Sequence, residues 1–557
     1  MMTEPVGTRK ARPGETTHCG PSSLEDMPRS VPVLDSLAIG QLRDDLAAAE
    51  YRVDVLAGLW GPMAADALRR ENPVPARRAI AALPAPTPAG TLARLFLLAE
   101  AVPAVEVQLA VPNVGLDGLV TLGLVEVSAE AAQEDPEAEL VRAIADLRPY
   151  AFEDERGGGH WWIASDLGER AVGGALPEDH VLGVGGASAT LASITLQLPA
   201  ERILDLGTGC GIQALHASRW AREVVATDIS ERALAYARFN AALNGISNID
   251  FRLGSLFEPV AGERFDRIVT NPPFVITPRG EGVPEYEYRD GGMEGDALTA
   301  AVVSGAAEHL TVGGIAQLLG NWEYRVGDED PLKADGLLRA ANWATGARLE
   351  YWIVERERLD PAEYAETWIR DGGSRPGDPD YDGLLAAWLT DFEHRGVTDV
   401  GFGMLLLRRP EAGIGTLARS ERIAHATPGG GLAAAFLDGL RGHDALSAHT
   451  DAELNALLLR VAPDVTEERH HMPGEEHPSV LLLRQGGGFG RTRLTGTAEA
   501  ALVGACDGDL TLGVILDALA ELLEESPKAM RQRLLPAVRD LVVEGFLQVV
   551  STAEAQE

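Results

Sequence analysis

Arg202-Ile203-Leu204-Asp205-Leu206-Gly207-Thr208-Gly209-Cys210-Gly211, continuing into Ile212-Gln213-Ala214-Leu215-His216-Ala217, reads as a buried strand, a glycine-rich turn and then a helix. Glycine lets the backbone approach a ligand closely, and the start of a helix presents unpaired N–H groups. A plain strand-to-helix turn would read the same way. The next strand separates the two readings. Val224-Val225-Ala226-Thr227 ends in Asp228, and a helix starts at Ser230-Glu231-Arg232-Ala233. A carboxylate at the end of the second strand, roughly 20 residues past the glycine turn, is placed to bond the hydroxyl pair of a ribose. Capping the following helix is the other use open to Asp228, but the spacing favours a nucleoside ligand.

The turn is spaced Gly207-x-Gly209-x-Gly211, not the Gly-x-Gly-x-x-Gly that seats a dinucleotide pyrophosphate. Asp205 ends the strand just before the turn, where it would repel a phosphate and attract an ammonium or a sulfonium. The ligand expected is therefore S-adenosylmethionine (SAM), not NAD. Its expected contacts are Asp205, Gly207, Thr208, Gly209, Gly211, Asp228 and Ile229.

Downstream, the apolar strand Phe265-Asp266-Arg267-Ile268-Val269-Thr270 runs into Asn271-Pro272-Pro273-Phe274. Two prolines lack N–H groups and fix their own φ angles, and Pro272 holds Asn271 out of the α region. Backbone carbonyls are left free and rigidly aimed. An amide side chain, free carbonyls and an aromatic ring suit a flat substrate group bearing NH2. Asn271, Pro272, Pro273 and Phe274 are thus the expected catalytic residues, with Asn271 also beside the cofactor.

Taken together, Asp205 to Gly211, Asp228 and the Asn-Pro-Pro-Phe tetrapeptide resemble the class I SAM-dependent methyltransferases that modify planar nitrogens. That group includes the HemK-like glutamine methyltransferases, the small-domain rRNA guanine-N2 enzymes and the adenine-N6 enzymes. The resemblance covers residues 180–325 well and extends toward 410. It implies a Rossmann-like, doubly wound, mostly parallel seven-stranded α/β sheet. Many relatives place an acidic residue after the third strand against the adenine amine. This chain has Gly254-Ser255 there, which leaves Ser255 as the candidate contact.

The alternation of elements supports the same fold class. Ile249–Leu253, Gly313–Leu319, Leu349–Val354 and Val400–Arg408 read as further strands, with helices at 297–310 and 332–344 between them. Ligands in such sheets bind beyond the carboxyl ends of the strands, where Asp205, Asp228 and Asn271 all fall. Residues 151–410 are the expected methyltransferase domain. Within it, 360–395 interrupts the last two strands, and its Asp371-Gly-Gly-Ser-Arg-Pro-Gly-Asp stretch is loop-forming. A decorated surface loop is favoured there over a substrate lid.

The flanks are expected to be mainly helical. Leu119–Val127 and Leu541–Val549 each read as a helix end, a glycine stop and a short strand, and the second follows two amphipathic helices. Both suggest winged-helix-like modules, in an N-terminal domain (31–150) and a C-terminal α+β domain (411–557). Such modules bind nucleic acid or protein, or simply pack. Residues 1–30, polar and rich in Pro, Gly, Ser and Thr, are expected to be a disordered tail without a signal-peptide core. Three scattered cysteines argue against a disulfide framework or zinc site, and no apolar run is long enough for a membrane span. A cytoplasmic protein is expected, its oligomeric state open. His470, His471 and His477 fit no metal-ligand spacing and read as solvated loop. Gly486–Gly490 lacks the Lys-Ser/Thr of a phosphate loop. His160-Trp161-Trp162 reads as packing or as a cap on the pocket.

Charge bears on the partner. The net charge is −36 with no long Lys/Arg run, which weighs against naked nucleic acid, although a local basic groove would be screened from distant charges. The expected reaction is methyl transfer from SAM to a planar nitrogen of a macromolecule. A nucleobase amine in RNA is favoured by the winged-helix-like flanks and by Phe274 in place of Tyr. The alternative is a protein glutamine, as in HemK-like enzymes, but the Pro-Arg-Pro-Glu-Thr-Glu type segment of those enzymes is replaced here by Val184-Gly185-Gly186-Ala187-Ser188-Ala189. A small-molecule methyltransferase and a catalytically silent binding protein are the remaining readings.

Overall fold

Ile203–Leu206, Val224–Thr227 and Ile268–Thr270 are runs of buried residues, the pattern of strands covered on both faces. They form the centre of an eight-stranded sheet. The computed structural model describes residues 31–70, 72–128, 139–172, 176–279, 283, 288–326, 334–411, 415–423 and 431–550. The expected tail at 1–30 lies outside the described residues. In chain order the sheet strands are β1 (Ala200–Leu206), β2 (Ala221–Asp228), β3 (Ile249–Leu253), β4 (Phe265–Thr270), β5 (Leu310–Arg325), β6 (Glu350–Leu359), β7 (Val397–Arg408) and β8 (Ala418–Arg422). Their spatial order is β8-β6-β7-β5-β4-β1-β2-β3. From β3 to β5 all pairings are parallel, and β7 is antiparallel to both β5 and β6.

Helices α1 (Ile212–Ser218), α2 (Glu231–Leu243), α3 (Ala297–His309) and α4 (Gly336–Gly346) follow the strands. Their starts are written in the sequence: Ser230 caps α2, and Asp335 caps α4 by accepting from Leu338 N at 3.0 Å. Strand order reverses between β1 and β4, which opens a crevice at their carboxyl ends.

The sheet has eight strands rather than the expected seven, and its last strand lies beyond the expected boundary at 410. β8 pairs parallel to β6 over Tyr351–Glu355 and Ala418–Arg422. Its sequence, Ala-Arg-Ser-Glu-Arg, has no apolar alternation, so the hydrophobic pattern could not announce it. Ion pairs hold it instead: Arg422 Nε donates to Glu355 Oε1 at 2.8 Å, and Glu421 Oε1 accepts from Trp352 Nε1 at 2.6 Å and Arg491 Nη2 at 2.7 Å.

The segment 360–395 is not a loop. It forms two helices, α5 (Pro361–Asp371) and α6 (Tyr381–Arg395), which bury Tyr364, Trp388 and Phe392. The Tyr364 hydroxyl accepts from Ile276 N at 3.0 Å, just past the Asn-Pro-Pro-Phe stretch. The loop-forming residues only join the two helices.

The N-terminal flank alternates helices with short strands. Helical residues 88–97 lead to the strand Val102–Pro103, the helices Ala104–Ala110 and Gly115–Thr121, and the strands Val125–Val127 and Leu140–Ala143, with the last strand central. A hairpin, Asp146–Phe152 with Gly159–Ser165, then docks on α2. Asn240 Oδ1 accepts from Ala164 N at 2.7 Å, and its Nδ2 donates to Ala164 O at 2.9 Å and to Cys210 O at 2.8 Å. One turn on, Asn244 makes the same paired contact with Trp162 N and O. Trp161 and Trp162 are buried packing residues of this hairpin and are not in the lining of the crevice at the strand ends.

In the C-terminal flank the two expected helices are Leu512–Leu522 and Pro527–Val543, followed by the strand Leu547–Val549. Here the central strand of the small sheet comes from upstream, Leu458–Val461 lying between Asp507–Thr511 and Leu547–Val549. His470 and Arg469 sit on an exposed hairpin of a separate three-stranded sheet, and Phe489 of the glycine-rich stretch is buried. Among the described residues no helix is long and apolar enough to cross a membrane.

The C-terminal flank shares a core with the sheet. Trp352 of β6 packs edge-on to Phe436, ring centroids 5.3 Å apart. A Cβ on Gly439 would lie 2.4 Å from the Trp352 ring and 2.8 Å from Val543 O. Gly439→Ala is therefore expected to destabilise the protein by about 1–3 kcal/mol, read as a lower midpoint in urea unfolding. A variant as stable as the parent would mean this contact is not tight.

Candidate functional site

The glycine turn depends on backbone that only glycine adopts readily: Gly207, Gly209 and Gly211 have φ of 72°, 56° and 90°. A Cβ at Gly211 would meet Ala237 of α2 at 3.1 Å, so this glycine serves helix packing. Cβ atoms at Gly207 and Gly209 would meet nothing within 4 Å. Those two face the open crevice, a cavity of about 480 Å³. Its lining includes expected residues from the ends of four strands, β1 to β4: Gly207, Thr208, Gly209, Asp228, Ile229, Ser255, Asn271, Pro272 and Pro273.

Asp205 is completely buried beneath the turn, with Oδ2 accepting from Thr208 Oγ1 at 2.6 Å. Burial pushes its carboxyl up to about 7, opposed by the Thr208 hydrogen bond. Asp228 Oδ2 accepts from Gly209 N and Oδ1 from Ser230 N, both at 2.9 Å. Asp228 thus fastens the turn to the end of β2 and is not the helix cap, a place Ser230 takes. Burial raises its pKa as well. Asp205 lies outside the cavity lining, beneath the turn, whereas Asp228 lines it, and that desolvated carboxylate favours a cationic ligand over an anionic one.

Asn271 sits where β4 ends, on the opposite lip. Its Oδ1 is buried without a hydrogen-bond partner. A buried unpaired acceptor costs about 1–3 kcal/mol, and a ligand N–H would remove that cost. Pro272 and Pro273 line the cavity beside it.

Phe274 is a correction. Its ring is buried in the core against Phe402 at 5.3 Å and Trp368 at 6.4 Å, and it does not line the cavity. The reason is the turn itself: Phe274 bridges Asp290 and Val275 N bonds to Arg289 O, which directs the ring inward toward α5. The aromatic residue at the crevice is Tyr288, on the returning limb of that loop. Arg279 clasps the limb through Asp290 Oδ2 at 3.0 Å.

Other lining residues also escape sequence reasoning. His180, Val181 and Leu182 form a wall before β1. It is held by Val181 N donating to Asp166 Oδ2 at 2.8 Å and by Gln213 Nε2 donating to Ser188 O at 2.7 Å. The wall shows no periodicity, and only its place ahead of the glycine turn could have flagged it.

Residues 183–326 match the family model described as "Methyltransferase small domain", and residues 48–135 match "Domain of unknown function (DUF7059)". A release factor glutamine methyltransferase of Yersinia pestis is 41% identical over 150 residues, 25% of this chain and 54% of that protein. One of Deinococcus radiodurans is 36% identical over 175 residues, 29% of this chain and 58% of its own. A ribosomal protein uL3 glutamine methyltransferase of Bradyrhizobium diazoefficiens is 34% identical over 155 residues, 26% and 47% respectively. The chain thus spans about half the length of the curated relatives it matches. Among solved structures, a methyltransferase from Pyrococcus furiosus aligns over 40% of this chain and 81% of its own, at 16% identity and a TM-score of 0.24.

The Asp205 environment gives a test that needs no ligand. The folded protein holds this proton to about pH 7, whereas the unfolded chain releases it near the ordinary 3.8. The folded state binds more protons between those values, so this group's contribution to stability falls as pH rises through the window. Asp205→Asn is expected to gain stability relative to the parent between pH 5 and pH 8 in urea unfolding. An equal difference at both pH values would contradict the assignment.

Proposed function

We propose that this chain, whose central domain is a methyltransferase domain of the HemK-like group, transfers the methyl group of SAM to the side-chain amide nitrogen of a glutamine in a protein. The observation that carries this reading is the buried, unpartnered Oδ1 of Asn271 beside two prolines, in one cavity with Gly207, Gly209 and Asp228. SAM supplies a methyl group on a cationic sulfonium. Asp228 is suited to the ribose hydroxyls, since each of its oxygens retains acceptor capacity beyond one backbone N–H. Asp205 holds the turn beneath the amino acid end through the Thr208 hydroxyl, and Gly207 and Gly209 leave room for close approach. Ile229, two-thirds exposed at the cavity rim, and Ser255 are suited to the adenine.

An amide nitrogen is a poor nucleophile because its lone pair is delocalised. Asn271 Oδ1 accepts one N–H and the Pro272 carbonyl accepts the other, which fixes the nitrogen and favours its pyramidal form; the N–CH3 bond forms as the S–CH3 bond breaks, S-adenosylhomocysteine leaves, and the proton displaced from nitrogen passes to solvent. The contribution is positioning and preorganised dipoles rather than a strong base.

Three observations support glutamine over the RNA base favoured by sequence. The relatives are named for glutamine methylation. Phe274, buried, offers no stacking face for a base. The helix in the recognition position of the N-terminal module also offers no cation: Gly115–Thr121 carries Asp117 and no Lys or Arg. On Pro527–Val543, Arg531, Arg533 and Arg539 are paired with Asp517, Glu525 and Asp451.

Methyl-labelled SAM incubated with the protein and cell extract is expected to label material released by protease and not by nuclease; nuclease-sensitive label would reject the glutamine reading. Asn271→Ala is expected to keep SAM affinity and lose at least about a hundredfold in transfer rate. Near-parental transfer would remove Asn271 from its role. Asp228→Ala is expected to weaken SAM binding about tenfold or more in calorimetry, because charge-assisted hydrogen bonds are lost; unchanged affinity would refute the ribose contact.

A further inference from the structure

A second cavity, of about 490 Å³, opens beside the first and shares His180, Leu182 and Tyr288 with it. Tyr288 stands at the junction, backed edge-on by His180 with ring centroids 5.8 Å apart. One wall is the end of α5 and the residues that follow, Arg370 to Pro376. The facing wall comes from before β1 and is made by Gly168, Glu169, Leu176, His180 and Leu182. We infer that this second cavity seats the stretch of acceptor polypeptide next to the glutamine, whose side chain passes Tyr288 to reach Asn271. The inference rests on the glutamine reading of the first cavity.

The lining favours a polypeptide over a polynucleotide. Leu176, Leu182 and Pro376 are apolar surface for side chains, and both charge signs are present. Glu169 lies on one wall and Arg375 on the other, and Asp371 is tied to Arg289 at 3.0 Å. A uniformly anionic phosphate backbone would meet like charge at Glu169 and Asp371. A peptide, with apolar, cationic and anionic side chains and its own amide dipoles, can match each wall. The two cavities also divide the work by place. The first contains every expected cofactor position that faces open space, and the second contains none of them.

This division makes the cavities separable by substitution. Gly168 lines the second cavity, and a Cβ there would meet nothing within 4 Å, so a large side chain fills the cavity without displacing core. The experiment uses the full-length chain, tritiated SAM and limiting cell extract, with SAM affinity measured in parallel by calorimetry. Gly168→Trp is expected to lower protease-sensitive labelling about tenfold while SAM affinity stays within twofold of the parent. Arg375→Glu, on the opposite rim, is expected to lower it about threefold, the scale of one partly exposed charge contact. If Gly168→Trp fails to bind SAM, the Arg375→Glu result decides. Unchanged labelling in a variant that binds SAM overturns the second cavity as the acceptor seat and leaves the glutamine reading standing. Label found only in nuclease-sensitive or small-molecule material overturns both.

Discussion

The buried amide of Asn240 is the constraint on which the arrangement of the molecule rests. Its two N–H donors and its oxygen are all used, two contacts on the hairpin residue Ala164 and one on Cys210 inside the glycine turn. A single helix position on α2 thereby sets the N-terminal region and the cofactor turn in one frame. Asn244 repeats the contact one helical turn later, so the hairpin edge is read as if α2 were another strand. Leaving such groups unpaired in the core would cost more than forming them gains. Displacement of the N-terminal region relative to the turn is therefore opposed by the same bonds that hold the turn.

Much of the central domain was legible because its signals are local. Buried apolar runs announced β1, β2 and β4, and capping residues announced α2. Glycines at positive φ announced the turn. The alternation of strands and helices put Asp205, Asp228 and Asn271 at carboxyl ends of strands, and the reversal of strand order between β1 and β4 brings those ends to one edge. What the sequence hid is held by long-range pairing. β8 has a charged sequence and owes its place to Glu355, Arg491 and Trp352, residues far along the chain. The pair α5–α6 was masked by the Gly- and Pro-rich joint between its helices. The direction of Phe274 was hidden for another reason: which way a ring points after two prolines depends on the returning strand at Asp290, not on the tetrapeptide.

The site combines two opposite electrostatic demands in one crevice. On the glycine-turn side, the Asp228 carboxylate is kept in low-dielectric surroundings, which raises the value of any cation placed against it. On the Asn271 side the contacts offered are an acceptor oxygen and carbonyls fixed by proline rings, and the nearby Asp290 carboxylate is paired with Arg279. Such a division suits transfer between a cationic donor and a neutral, planar nitrogen. The relatives' glutamine chemistry makes the same demand, with Tyr288 rather than Phe274 supplying the aromatic surface at the crevice.

The pairing of β8 with β6 has a further consequence for the sheet's outer border. An uncovered strand offers a row of free N–H and C=O groups to any other chain, and so invites aggregation. β8 covers Tyr351–Glu355, the stretch of β6 that holds Trp352, Ile353 and Val354. The part left open continues as Arg356-Glu357-Arg358, whose charges disfavour edge-to-edge association. At the other border, β3 is five residues long and carries Asp250 and Arg252. A short, ion-paired strand of no evident hydrophobic purpose thus acts as a guard against misassociation, a role that selects for charge and length rather than for apolar pattern.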